Sequence, residues 1–129
     1  MTVHQALAIH FDSVAANTDE DREFAWPFPG KWRIDKVLVA PSTTAGADGT
    51  DYTTVTLETN DGAGGSYTTF GSLSTETVAL TIGTSRERTM VATAAREVDQ
   101  GDCLRVGKTD SGTGAVFDGG VTVLASRID

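Results

Sequence analysis

Residues 32–40 read Trp32-Arg33-Ile34-Asp35-Lys36-Val37-Leu38-Val39-Ala40, and this stretch decides the fold class. Its first half alternates apolar with polar, the period of a strand with one buried face. Its second half is apolar on both sides. That predicts a strand running centrally through the core, or one whose second face another subunit covers. Pro41 then stops the ladder, because it has no N–H to give.

The same period of two recurs on either side. Over 3–11, Val3, Leu7, Ile9 and Phe11 share one face, interrupted by Gln5, while His4, Ala6, Ala8 and His10 share the other. Tyr52 to Thr59 places Thr53, Val55 and Leu57 inward. A turn cluster at 60–65 and a weaker strand at 66–73 make residues 52–73 a hairpin. Thr77 to Ile82 alternates cleanly and predicts a strand with Val78, Leu80 and Ile82 inside. Residues 103–109 place Leu104 and Val106 inward, and 121–128 closes the chain. Residues 85–98 admit two readings. Met90, Ala94 and Val98 have helical spacing with Ser85 as a cap, whereas the β-branched Thr89, Val91 and Thr93 favour strand or irregular structure, and the strand-rich surroundings tip the balance to the latter.

Eight short strands between Gly/Asp turns, without an internal repeat or a compositional break, predict an all-β protein with a single β-sandwich domain over 1–129, an eight-stranded jelly roll. Residues 12–31 read as a long connection. Its first part, Thr18-Asp19-Glu20-Asp21-Arg22-Glu23, is acidic; its second, Phe24-Ala25-Trp26-Pro27-Phe28-Pro29-Gly30, is aromatic.

At 129 residues there is room for one core. A net charge of −8 argues against nucleic acid and against anionic lipid, since both need clustered Lys and Arg. No apolar run is long enough to span a bilayer, and the opening Met1-Thr2-Val3-His4-Gln5 lacks the basic and apolar regions of a secretory signal. One cysteine, Cys103, excludes an internal disulfide framework.

The search for chemistry yields no catalytic, cofactor or metal residues. His4 and His10 share a strand face but stand roughly 20 Å apart, too far to hold one metal ion. Cys103 has no local base and reads as a small buried apolar residue. There is no phosphate loop, nucleophile elbow, H-E-x-x-H or C-x-x-C. Asp48, Asp51 and Asp61 lie near strand ends and could offer oxygens to Ca²⁺. They match no EF-hand spacing, and Asp is an ordinary turn residue, so the turn reading is preferred. The aromatic residues Phe24, Trp26, Phe28 and Trp32 are the interface candidates. The rings of 24–28 either plug the end of the sandwich or anchor a partner, since aromatics dominate interface cores. The sequence leaves both readings open.

Residues 32–40, the Thr/Gly/Asp loop after them and Tyr52-Thr53-Thr54-Val55-Thr56-Leu57 resemble small virion proteins of tailed bacteriophages. Glu97-Val98-Asp99-Gln100-Gly101-Asp102-Cys103-Leu104-Arg105-Val106 is similar to the G-D-x-L-x-V strand entry of their sandwiches, and Thr113-Gly114 and Gly120-Val121-Thr122-Val123 fit as well. The likeness covers 32–129 and leaves 12–31 unmatched. It implies a capsid decoration, or cement, protein: a non-enzymatic homotrimer on the capsid exterior, made in the host bacterial cytoplasm, which bridges the major capsid protein subunits. A head-fibre or tail-associated domain would show a repetitive shaft, which is absent. A carbohydrate-binding module is the alternative from another class, with Trp26 or Tyr52 stacking on a sugar. A cupin-like enzyme would need a cluster of histidines where this chain has two isolated ones.

Overall fold

The structure is a computed structural model and describes residues 2–60, 66–87, 89–90 and 96–129. Ten strands are present: β1 (His4–Val14), β2 (Glu20–Ala25), β3 (Lys31–Pro41), β4 (Tyr52–Asn60), β5 (Thr68–Ser74), β6 (Arg86–Glu87), β7 (Thr89–Met90), β8 (Glu97–Asp99), β9 (Cys103–Ser111) and β10 (Phe117–Arg127). They form two antiparallel sheets. One runs β1-β10-β3, with β6 and β8 both pairing the far side of β3. The other runs β2-β9-β4-β5-β7.

The pairings are nested. β1 pairs β10, β2 pairs β9, β3 pairs β8 and β6, and β4 pairs β5. The chain is thus one long hairpin whose tip is β4–β5. Rolling it brings β10 against β3 and β9 against β4, so that successive strands fall in opposite sheets everywhere but at the β4–β5 tip, which stays within one sheet. With β6 and β8 taken as two pieces of one broken strand, this is the strand order of a jelly roll.

Side chains from both sheets fill the space between them. β10 alternates without a fault, with Phe117, Val121, Val123 and Ala125 buried. β4 does the same with Thr53, Val55 and Leu57. β3 changes parity: Trp32 and Ile34 point inward, then Val37 and Val39. The register shows how. Leu124 pairs Lys36 and Ala125 pairs Ile34, so Asp35 is an extra residue in a β-bulge. The bulge turns the apolar second half of the strand to the core with Val37 and Val39, leaving Leu38 half-buried outside. β3 is central, as its composition suggested.

Two sequence expectations need correction. Residues 20–25 are a strand within the stretch read as a connection; their edge position and wet outer face hide them. β2 pairs Glu20 with Lys108 through to Ala25 with Cys103. Conversely, 77–82 is not a strand. Its one ladder contact is an isolated bridge from Leu80 to Ala45. Leu80 is buried, but Val78 and Ile82 are 51% and 58% exposed, so the alternation there is local and is not matched by a partner strand. Over 85–98 the described residues include β6, β7 and β8, with Met90 and Val98 in separate strands. Residues 91–95, and residues 61–65 of the hairpin turn, lie outside the described residues.

Gly119 and Gly120 give a sharp test of the β10–β3 contact. A Cβ on Gly119 would stand 2.4 Å from the Ala40 carbonyl oxygen, whereas one on Gly120 meets nothing within 4 Å. Gly119→Ala should therefore destabilise by about 1–3 kcal/mol in urea unfolding. Gly120→Ala should be neutral or stabilising by up to about 1 kcal/mol, since it removes the entropy of a strand glycine.

Candidate functional site

The jelly roll has two ends. Loops 15–19, 42–51, 75–85 and 112–116 gather at one; the 26–30 and 100–102 turns and the chain's terminal residues gather at the other.

The aromatic segment closes the second end. Trp26, Phe28 and Trp32 form a triangle with ring centroids 5.1–6.0 Å apart, in tilted and edge-to-face geometry. Such pairs contribute about 0.5–1.5 kcal/mol each beyond burial. The backbone holds the segment to the turn after β8: Trp26 N–H donates to the Asp102 carbonyl, Gly101 N–H donates to that of Trp26, and Gln100 Nε2 donates to that of Pro27. Trp32 Nε1 donates to the Pro29 carbonyl at 3.0 Å. Of the four interface candidates, Trp26 and Trp32 are buried in the core, and Phe24 and Phe28 are half-buried against it. Trp26 is 0% exposed, so it has no ring face to offer a sugar or a docking partner.

The first end is organised by a lysine that the sequence reading passed over. Lys108 is fully buried, on the inward face of β9 two residues beyond Val106. All three ammonium protons are taken: by the carbonyls of Ala15 and Thr18 at 2.8 and 2.9 Å and by Asp110 Oδ2 at 2.7 Å. Asp110 also accepts from Thr18 N–H and from the Thr53 hydroxyl. That hydroxyl oxygen in turn accepts from Ala115 N–H, and Thr75 Oγ1 accepts from Thr53 N–H. The buried ion pair therefore ties loop 15–19 to β9 directly and loop 112–116 through the Thr53 hydroxyl, while the first residue of loop 75–85, Thr75, is held by the Thr53 backbone. The signal was present: the period that places Leu104 and Val106 inward places Lys108 and Asp110 inward too.

The Asp-rich loops belong to the same end. Asp48 Oδ1 accepts from the N–H groups of Thr50 and Asp51, an Asx-type turn, and Asp51 Oδ1 accepts from Thr113 N–H. The bonds to Asp48 from the Asp51 N–H first and then from Thr50 hold its carboxyl below its ordinary value of 3.8. No cluster of three or more metal-ligating side chains occurs among the described residues, and Asp61 lies outside them. His4 and His10 are exposed on β1, with His10 Nε2 3.5 Å from Asp118. Cys103, expected inside, is only half-buried, because it opens β9 on the parity opposite to the inward Leu104 and Val106.

The two outer faces differ in chemistry. On the β2-β9-β4 sheet Arg105 grips Glu58 through Nε and Nη2 and lies 4.1 Å over the Tyr67 ring, whose hydroxyl donates to Glu23. Glu58 raises the Arg105 pKa; loss of water contact, then the Glu23 carboxylate, raises that of Tyr67. The outer face of the β1-β10-β3 sheet sets Ala6, Ala8, Leu38, Ala40 and Leu124 among His4, His10, Lys36, Thr122 and Ser126. Val78, Ile82 and Val116 stand exposed on loops 75–85 and 112–116. They are three of the four large exposed apolar side chains among the described residues.

No protein-family model matches the sequence, and no curated protein does. Among solved structures the chain is similar to one in the structure of infectious bursal disease virus, Gx strain, at a TM-score of 0.40 and 10% identity. The match covers 96% of this chain and 32% of that one, so this chain spans about a third of its length. The jelly-roll assignment rests on the strand order and not on that likeness.

Two measurements check the loop end. Lys108→Met strands the Asp110 carboxylate and two carbonyls in the interior and should cost about 3–5 kcal/mol in urea unfolding. A carboxyl whose pKa is depressed by folding stabilises above its unfolded value and loses that contribution as pH falls through the folded one. Carbon-detected NMR titration should accordingly place the Asp48 midpoint below 3.8, with the 46–51 turn loosening only in acid below it.

Proposed function

We propose that this protein is a non-enzymatic virion structural protein that docks on the outside of a phage capsid and ties neighbouring major capsid subunits together. The observation that carries the reading is the loop end: Val78, Ile82 and Val116 are presented to solvent on hydrogen-bonded loops, 112–116 held through Thr53 to the Lys108–Asp110 pair, and 75–85 held by Thr53 at Thr75, by Arg86 at the Val78 carbonyl and by Thr44 at the Ile82 N–H. Exposed aliphatic side chains on a rigid support favour docking on another protein, because little loop entropy remains to be lost on binding. The resemblance of 32–129 to small phage virion proteins supplies the partner. Many copies on a lattice make weak individual contacts add through effective concentration. The carbohydrate alternative loses one of its two stacking residues with Trp26 inside.

Co-sedimentation with empty heads assembled from the cognate phage's major capsid protein tests the reading. The protein should pellet with the heads, and Ile82→Asp or Val116→Asp should weaken binding at least about ten-fold, with the circular dichroism spectrum unchanged. Failure of the unmodified protein to pellet, or undiminished binding by both variants, would reject it.

A further inference from the structure

The edges of the sandwich are unequal. Among the described residues, β6, β7 and β8 are two or three residues long, and β2 is short and carries Glu20, Asp21, Arg22 and Glu23. Brevity and charge are the usual protection of an edge. β1 has neither. It is 11 residues long, and from His4 to Phe11 it contains no Lys, Arg, Asp, Glu, Pro or Gly.

We propose that β1 pairs antiparallel with β1 of a second copy of this chain, across a two-fold axis at Leu7, which makes a dimer in place of the homotrimer that the resemblance to phage virion proteins implies. Three observations agree on that register. The first is the direction of the backbone groups. Arg127 N–H donates to the Val3 carbonyl at 2.9 Å, so Val3 and Arg127 are a bonded pair. Antiparallel bonding alternates, so Gln5, Leu7 and Ile9 bond to β10, while His4, Ala6, Ala8 and His10 aim their N–H and C=O groups at the open edge. A two-fold at Leu7 sets Ala6 opposite Ala8 and His4 opposite His10 of the other copy, matching outward groups with outward groups.

The second is the side-chain order, Val3-His4-Gln5-Ala6-Leu7-Ala8-Ile9-His10-Phe11. It reads the same in both directions about Leu7 for His and Ala and keeps Val3 and Phe11 both apolar, with Gln5 across from Ile9 as the one mismatch. Self-pairing there puts His across from His, Ala across from Ala, Leu7 across from Leu7 and Val3 across from Phe11, the self-complementarity an isologous contact needs. The third is burial. Leu7 and Ile9 face the core yet remain half-exposed, because no strand lies beyond them. A second β1 supplies the missing neighbour.

Sedimentation of the full chain over a concentration series should show the 13.5 kDa species giving way to one of twice that mass. Ala8→Pro removes an N–H that points away from β10, so the internal ladder keeps its bonds. It should remain monomeric with an unchanged circular dichroism spectrum. Cysteine pairing tests the register even if that variant fails to fold. In a Cys103→Ser chain, Leu7→Cys lies on the axis with Cα atoms about 4.5 Å apart, within disulfide reach, and should cross-link on mild oxidation. Gln5→Cys lies roughly 13 Å from its counterpart and should not. A chain that stays monomeric throughout, a trimer (which an isologous pair cannot close), a dimer that persists in a folded Ala8→Pro chain, or Gln5→Cys cross-linking as readily as Leu7→Cys would each overturn the proposal.

Discussion

A strand alternates its side chains without regard to what lies on either side, so a sandwich exists only where every strand sends its apolar set into the same gap. β10 and β4 meet that condition by unbroken alternation. β3 cannot, because Ile34 and Val37 are three residues apart and both must be inside. One extra residue, Asp35, resolves the conflict. Without it Val37 and Val39 would face outward and Lys36 inward, and the central strand of its sheet would oppose a charge to Ile34's neighbours. The core shared by Phe11, Trp32, Leu57 and Val123 rests on that single change of parity.

The two ends are fixed by different forces. At one, packed rings exclude water. At the other, an ammonium group in the interior is tolerated because three oxygens receive all its protons. The second arrangement is directional, so it sets where loops 15–19 and 112–116 sit as well as how firmly. Hydrophobic contact alone would hold those loops without orienting them.

Period-two patterning made most strands legible from the residues, including the hairpin of β4 and β5 and the central place of β3. It failed where burial and alternation part company. β2 is an edge strand, with Asp21 and Glu23 on the wet face and Arg22 reaching over Phe11, so its polar composition resembles a loop. Residues 77–82 have the opposite fault: their alternation is regular, but only Leu80 finds a cavity to fill. The aromatic segment was legible as unusual, yet which rings lie inside depends on the turn at 100–102, more than seventy residues away. Lys108 was missed because a charge is expected outside, although its place in the series after Leu104 and Val106 pointed inward.

The nested pairing has a consequence for the order of assembly. The tip of the long hairpin, β4 with β5, involves neighbours in sequence and can close early, whereas β1 has no partner until residues 117–127 exist. Since synthesis proceeds from the N-terminus, the earliest strand of this domain to leave the ribosome is the one that waits longest for shelter. Chain growth therefore imposes on β1 a period with both flanks bare, when premature contact between nascent copies competes with correct closure.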